Sequence, residues 1–156
     1  MPHASHRLDL VLLPVDPEAE PDRPAFADFA NRWSGRLEQA IVGGARGLRL
    51  DDPGRVSLYA NQQGGFRVRC PRSGENLASA FSAAVERWRS GAPRAMCCPA
   101  CGEEHALEEI TLIPPGGFAR FAVVFVDAAT LNLEPEPRAE LESALGPLRE
   151  IARRIS

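Results

Sequence analysis

Residues 118–126 read Phe118-Ala119-Arg120-Phe121-Ala122-Val123-Val124-Phe125-Val126, and the architecture is decided there. A strand apolar on both faces must be covered on both, so Phe118 to Asp127 is expected in the middle of a sheet. Just upstream, Leu107 to Ile113 reads as a second strand. It is joined to the first through Pro114-Pro115-Gly116-Gly117, a stiff and then flexible connection, and the two strands are expected to pair. Leu8 to Val15 is nearly continuous in Leu and Val, too short for a stable helix, and stopped by Pro14 and Pro17, which predicts a third strand with both faces buried.

Between these apolar strands the period changes. Asp16 to Arg23 is acidic and proline-rich, an exposed connection, and Pro24 suits the first position of a helix. Phe26, Phe29, Ala30, Trp33, Leu37, Ala40 and Ile41 recur every three or four residues, which predicts a helix ending near Gly43-Gly44. From Arg55 the period is two. Val56, Leu58 and Ala60, then turn chemistry at Gln62-Gln63-Gly64-Gly65, then Phe66, Val68 and Cys70 predict a β-hairpin with Arg67 and Arg69 on the face opposite the apolar one. Leu77, Phe81, Ala84, Val85 and Trp88 predict a second amphipathic helix, closed by Ser90-Gly91 and Pro93. Leu141, Leu145, Leu148, Ile151 and Ile155 mark a last helical segment that Gly146-Pro147 must kink or split. The order predicts an α+β (mixed α/β) fold, with helices packed on a largely antiparallel sheet. At 156 residues the expectation is a single domain, 1–156, with an inserted cysteine-bearing element over 66–106.

Composition narrows function mainly by exclusion. All 18 basic residues are arginine, so a Walker-type phosphate lysine, a lysine Schiff base and a lysine general base are excluded. No apolar run approaches the roughly 18 residues of a bilayer span, and Leu10 to Leu13 is too short for the core of a secretory signal. The expectation is therefore a cytoplasmic protein with no membrane partner. Charge is uneven: residues 66–98 hold six arginines against two glutamates, whereas both flanking segments are acidic. Such a block is either the footprint of an anionic partner or is matched by the chain's own acids.

The cysteines speak most directly. Cys98-Pro99-Ala100-Cys101-Gly102 spaces two thiols so that one tight turn aims both at a single tetrahedral ion, and the glycine permits the positive φ that brings amides toward sulfur. Zinc is the expected cofactor for thiolates in a reducing compartment. Cys70-Pro71-Arg72-Ser73-Gly74 repeats the frame with serine in the second thiol's place. Redox use of the Cys-x-x-Cys pair is disfavoured, because Glu103 and Glu104 beside it raise a thiol pKa.

The two frames, separated by one amphipathic helix, resemble a degenerate zinc ribbon. With Gln63-Gly64-Gly65-Phe66-Arg67-Val68 ahead of the first frame, the chain is similar to a family of small bacterial proteins, uncharacterised in role, that carry paired C-P-x-C-G frames around a helix. The resemblance implies metal ligands at Cys70, Cys98 and Cys101. Candidates for the fourth are His105, then Cys97, Ser73 and water. Members are sometimes labelled sugar-transporter ATPases, which this sequence contradicts: it has no G-x-x-x-x-G-K-[ST] segment and no lysine to complete one.

Three functional expectations follow. The first is a non-enzymatic protein-interaction module in which zinc is structural and the partner is another protein. The second is a nucleic-acid-binding zinc ribbon using the Arg67–Arg94 basic segment, with Arg67, Arg69 and Arg72 on the anionic partner. The third is a zinc-dependent hydrolase with an open metal position, Glu103 or Glu104 as base and His105 as proton shuttle.

Overall fold

The computed structural model describes residues 7–62 and 65–155. In chain order its elements are β1 (Arg7–Pro14), α1 (Arg23–Trp33), α2 (Leu37–Ala40), β2 (Gly47–Asp51), β3 (Ser57–Tyr59), β4 (Arg67–Arg69), α3 (Ala78–Arg89), β5 (Ala95–Cys97), β6 (Glu104–Ala106), β7 (Thr111–Ile113), β8 (Gly117–Ala119), β9 (Ala122–Val126), α4 (Pro135–Leu145) and β10 (Leu148–Ile155). The fold is α+β. Four strands form the main sheet in the order β10-β1-β9-β2, every neighbour antiparallel. The two most apolar stretches of the chain take its centre, as their composition requires: Leu10 to Leu13 and Ala122 to Phe125 are at most 1% exposed.

Each face of this sheet has its own cover. On one side Leu10, Leu12, Val123 and Phe125 pack against Phe26, Phe29 and Trp33 of α1, Leu37 and Ala40 of α2 and Leu141 of α4. Asp22 caps α1 by accepting from the Ala25 amide, and Glu140 of α4 takes the Trp33 indole N–H at 2.9 Å, so the one polar atom of that tryptophan is satisfied. On the other side Val11, Leu13, Val124 and Ile151 meet Tyr59 and Ala119 of the β3–β8 ribbon. That ribbon divides two cores. Its Leu58 and Phe118 turn the other way, into a second cluster built around Leu77, Phe81, Ala84 and Val85 on the α3 side with Val68, Met96, Ile110 and Leu112.

The structure corrects several expectations, each for an identifiable reason. The strands either side of 62–65 do not form a hairpin with each other: β3 pairs with β8 and β4 pairs with β7. The expected turn residues Gln63 and Gly64 lie outside the described residues. Likewise the segments before and after Pro114-Pro115 do not pair together. Leu107–Glu109 is a 3-10 turn, Thr111–Ile113 joins β4, and the long apolar run bends at Arg120-Phe121 into β8 and β9, which serve different sheets. The last segment is a helix only as far as Leu145. Gly146, at φ +85°, and Pro147 end it, and Leu148–Ile155 is a strand paired with the whole of β1. Its spacing imitated a helix because Leu148 packs with the helix-side core and Ile151 with the opposite one. The first helix is interrupted at Ser34-Gly35, leaving the four-residue α2, and a strand not read from the sequence, β2, follows the Gly43-Gly44 turn.

Candidate metal centre

The excursion from β4 to β7 returns to its own base, because those two strands pair. Within it both cysteine frames form the tips of small hairpins. The first lies between β4 and Asn76, which bridges back to Arg69, and the second between the paired strands β5 and β6. The two tips share one backbone pattern. Cys70 N–H donates to the Glu75 carbonyl at 2.9 Å and Gly74 N–H to the Cys70 carbonyl at 2.9 Å. In the second tip Cys98 N–H donates to Glu103 and Gly102 N–H to Cys98, both at 2.8 Å. Gly74 and Gly102 have φ of +75° and +76°, a conformation that a side-chain-bearing residue adopts only at a cost. The paired frames read in the sequence are therefore structurally equivalent, and Ser73 occupies in the first the place that Cys101 occupies in the second.

Four potential ligand atoms converge between the tips. The sulfurs of Cys70, Cys98 and Cys101 and an imidazole nitrogen of His105 all lie within 4.8 Å of one another. Cys70 and Cys98 are each 2% exposed and His105 6%. Cys101 Sγ lies 3.2 Å from His105 Nε2. A tetrahedral ion with sulfur bonds of about 2.3 Å separates its sulfur ligands by about 3.8 Å, so the cluster closes on such an ion with small side-chain adjustments. All four cysteines are free thiols, so no disulfide competes for them. The set of soft sulfurs plus one imidazole is a donor chemistry that could hold a transition-metal ion.

Of the candidates for the fourth donor, the structure brings in His105 and turns Cys97 away. Strand alternation explains both: in β5, Met96 faces the core and Cys97 faces solvent, whereas across the ladder His105 pairs with Met96 and faces inward with it. Ser73 stays close to Cys70, but its hydroxyl accepts from the Glu75 amide at 3.3 Å. Its larger effect is electrostatic. The Ser73 hydroxyl and amide, helped by the Arg72 amide and the Cys98 sulfur, pull the Cys70 thiol down to about 6 despite the penalty of burial. Cys101 moves the opposite way. The Glu103 amide draws it down, but burial and the neighbouring Cys98 and Cys70 sulfurs outweigh that and push it up.

Two pairings were not foreseen from the sequence, one at His105 and one between Arg72 and Glu103, which were expected in other roles. His105 Nδ1 lies 3.9 Å from the exposed carboxylate of Glu109, beyond hydrogen-bond reach, while its other ring nitrogen faces Cys101. Arg72, from the first tip, pairs with Glu103, from the second, which ties the frames together beside the sulfurs and holds the Glu103 carboxyl below its usual range.

The arginines of the basic segment are largely used within the chain. Arg69 donates to the Gly74 carbonyl, Arg72 pairs with Glu103, and Arg94 is gripped by Glu18 and Glu108. Arg67 alone of the three expected anion-binding residues is exposed with no partner among the described residues. No helix among the described residues is long and apolar enough to cross a membrane. Compared with protein-family models, with curated proteins and with solved structures, the chain matches none.

Proposed function

We propose that the chain is a zinc-ribbon-like protein whose Cys70–Cys98–Cys101–His105 centre holds one structural zinc ion and that acts by binding a protein partner instead of by turnover. The observation that carries this reading is the convergence of three sulfurs and one imidazole from two equivalent hairpin tips. Four protein donors complete a tetrahedral shell, and a catalytic zinc needs one position left for water, so the hydrolase alternative loses its premise. A site whose Cys70 is poised to be a thiolate near neutrality suits metal capture in a compartment that keeps thiols reduced, which favours the cytoplasm. Internal neutralisation of Arg72 and Arg94 weighs against the nucleic-acid alternative.

The test is elemental analysis of protein purified without added metal, followed by cobalt substitution. About one zinc per chain is expected, together with the visible absorption of tetrahedral cobalt bound to sulfur, lost in Cys98→Ser. A metal-free protein that also fails to take up cobalt would remove the proposal. Salt-sensitive retention on RNA or DNA that vanishes in Arg67→Ala would replace the protein partner with a nucleic acid.

A further inference from the structure

A cleft of about 610 Å³ lies between the end of α3 and the segment leading into β3, and none of the four metal donors lines it. That size suits a small organic ligand. Its wall is unusual in charge: four arginines, Arg55, Arg89, Arg94 and Arg120, face one acid, Glu18. Arg89 and Arg94 belong to the basic segment, and the fold brings Arg55 and Arg120 to them from elsewhere in the chain. The floor is apolar, formed by Leu58 of β3 and by Trp88, whose ring meets Phe118 edge-on at 5.3 Å.

The arginines are not equivalent. Glu18 divides its carboxylate between two of them, Oε1 to Arg94 at 3.1 Å and Oε2 to Arg120 at 3.3 Å. Arg94 is also held by Glu108 at 3.1 Å, its guanidinium lies 5.9 Å from the Trp88 ring, and its side chain is only 16% exposed. These two are therefore fixed in place before any ligand arrives. Arg120 bridges to no other acid among the described residues, and a guanidinium has five N–H donors, so most of its capacity is left for a ligand. Arg55 has no ion pair among the described residues, and the nearest acid to Arg89 is the solvated Glu86 at 3.9 Å. Positive charge is in excess even when Glu86 and Glu108 are counted. Leaving like charges around one concavity costs stability, and an anion seated between them relieves that cost.

We propose that this cleft binds a phosphorylated small molecule, with Arg55, Arg89 and Arg120 on the phosphate and the rest of the ligand against Leu58 and Trp88. Arginine suits this role because its planar fork meets phosphate oxygens two at a time. Glu18 acts as a positioning residue: it holds Arg94 and Arg120 at the wall. The site uses none of the four metal donors, so it stands or falls independently of the zinc reading.

The experiment is calorimetric titration of the full chain, in the metal state in which it is purified, with adenosine 5′-monophosphate, ribose 5-phosphate, adenosine and citrate. Trp88 fluorescence is followed in parallel; Trp33, at 2% exposure, lies in the other core and serves as a silent background. Both phosphate esters are expected to bind and adenosine is not. Arg120→Ala and Arg55→Ala should each weaken binding about ten-fold or more, and raising the salt should weaken it further. Arg46→Ala, at an 83% exposed arginine near the other end of β9, should leave binding unchanged. Saturable binding of citrate alone would reassign the ligand to a polycarboxylate and overturn the proposal. So would no heat with either ester up to millimolar concentration, or equal weakening by Arg46→Ala. Circular dichroism of each variant separates lost binding from lost fold.

Discussion

Stripping the metal from the purified protein should lower its melting temperature by about 8–16 °C, with the damage concentrated in the α3 excursion. A ligand that binds only the folded state stabilises it by the logarithm of its saturation, about 4 kcal/mol at a thousand-fold excess over the dissociation constant. For a chain of this length one kcal/mol moves the midpoint by about 2–4 °C. The structure indicates where the loss falls. β4, β5 and β6 have three residues each and sit in two-stranded ribbons, which are marginal on their own. The tips they carry would lose their common anchor, whereas Phe81 and Phe118 keep the cluster beneath them. Thermal melts with and without chelator give the magnitude, and amide exchange gives the place. The N–H groups of Cys70, Gly74, Cys98 and Gly102 should lose protection while those of β1, β9 and β10 keep it. A shift below about 2 °C, in protein shown by elemental analysis to have lost its metal, would refute the reasoning. So would loss of protection spread evenly through the main sheet.

Three further outcomes can be checked separately. Cys97→Ser should leave metal content and stability unchanged to within about 0.5 kcal/mol, because that thiol faces solvent, whereas Cys98→Ser should abolish tight metal binding. Equal effects of the two would mean that the wrong cysteine has been placed inside. Burial, with help from Asp51 and Asp52 and against Arg153 and Arg49, pushes the phenol of Tyr59 up to about 12. The neutral phenol is thus favoured by the fold. Its stabilisation is fully present below the unfolded value of 10.0 and is lost as pH rises from there through about 12. Tyr59 is the chain's one tyrosine, so phenolate absorbance near 295 nm reports it alone, and a midpoint near 10 in the folded protein would contradict its burial. Asp9 is fully buried, with Arg7 at 3.0 Å, Arg153 at 3.7 Å and the Asp127 amide at 3.0 Å. Asp9→Ala should cost about 3 kcal/mol in urea unfolding, since it leaves the largely buried Arg153 without an anion; a cost below about 1 kcal/mol would show the cluster to be dispensable.

What the sequence disclosed, and what it withheld, divides along the range of the forces involved. The central strands were legible because Leu10 to Leu13 and Val123 to Phe125 have no polar face to show water. α1 and α3 were legible because each has one buried stripe. The metal cluster was legible because its turns are local: a Cys-x-x-Cys turn and its glycine need nothing from the rest of the fold. Pairing was not legible. Ser57–Tyr59 and Arg67–Arg69 look like the arms of a hairpin, yet each finds its partner some fifty residues downstream, and only tertiary packing selects between those arrangements. Leu148–Ile155 failed for a related reason: with one apolar residue toward each core, a strand acquires the three-residue spacing of a helix.

That long-range pairing also shows what a metal would contribute where it is proposed. The segment from Ser57 to Arg69 runs antiparallel to the segment from Thr111 to Ala119, meeting it twice, as β3–β8 and as β4–β7. Everything between, including α3 and both cysteine frames, leaves the main sheet through this double ribbon. The ribbon's inner part is secured by two cores, because Tyr59 and Ala119 face one and Leu58 and Phe118 the other. Beyond the β3–β8 pair the chain has one helix, a 3-10 turn and the four short strands β4, β5, β6 and β7 to bury one cluster. Burial alone specifies that α3 docks, but it does not specify how the first tip meets the second, since the residues joining them are Cys70, Cys98, Cys101, His105 and the Arg72–Glu103 pair. An exposed ion pair contributes at most about 1 kcal/mol. Further directional bonds at that junction would be those that three sulfurs and an imidazole make to a shared ion, and on the proposed reading the order of the tips rests on them.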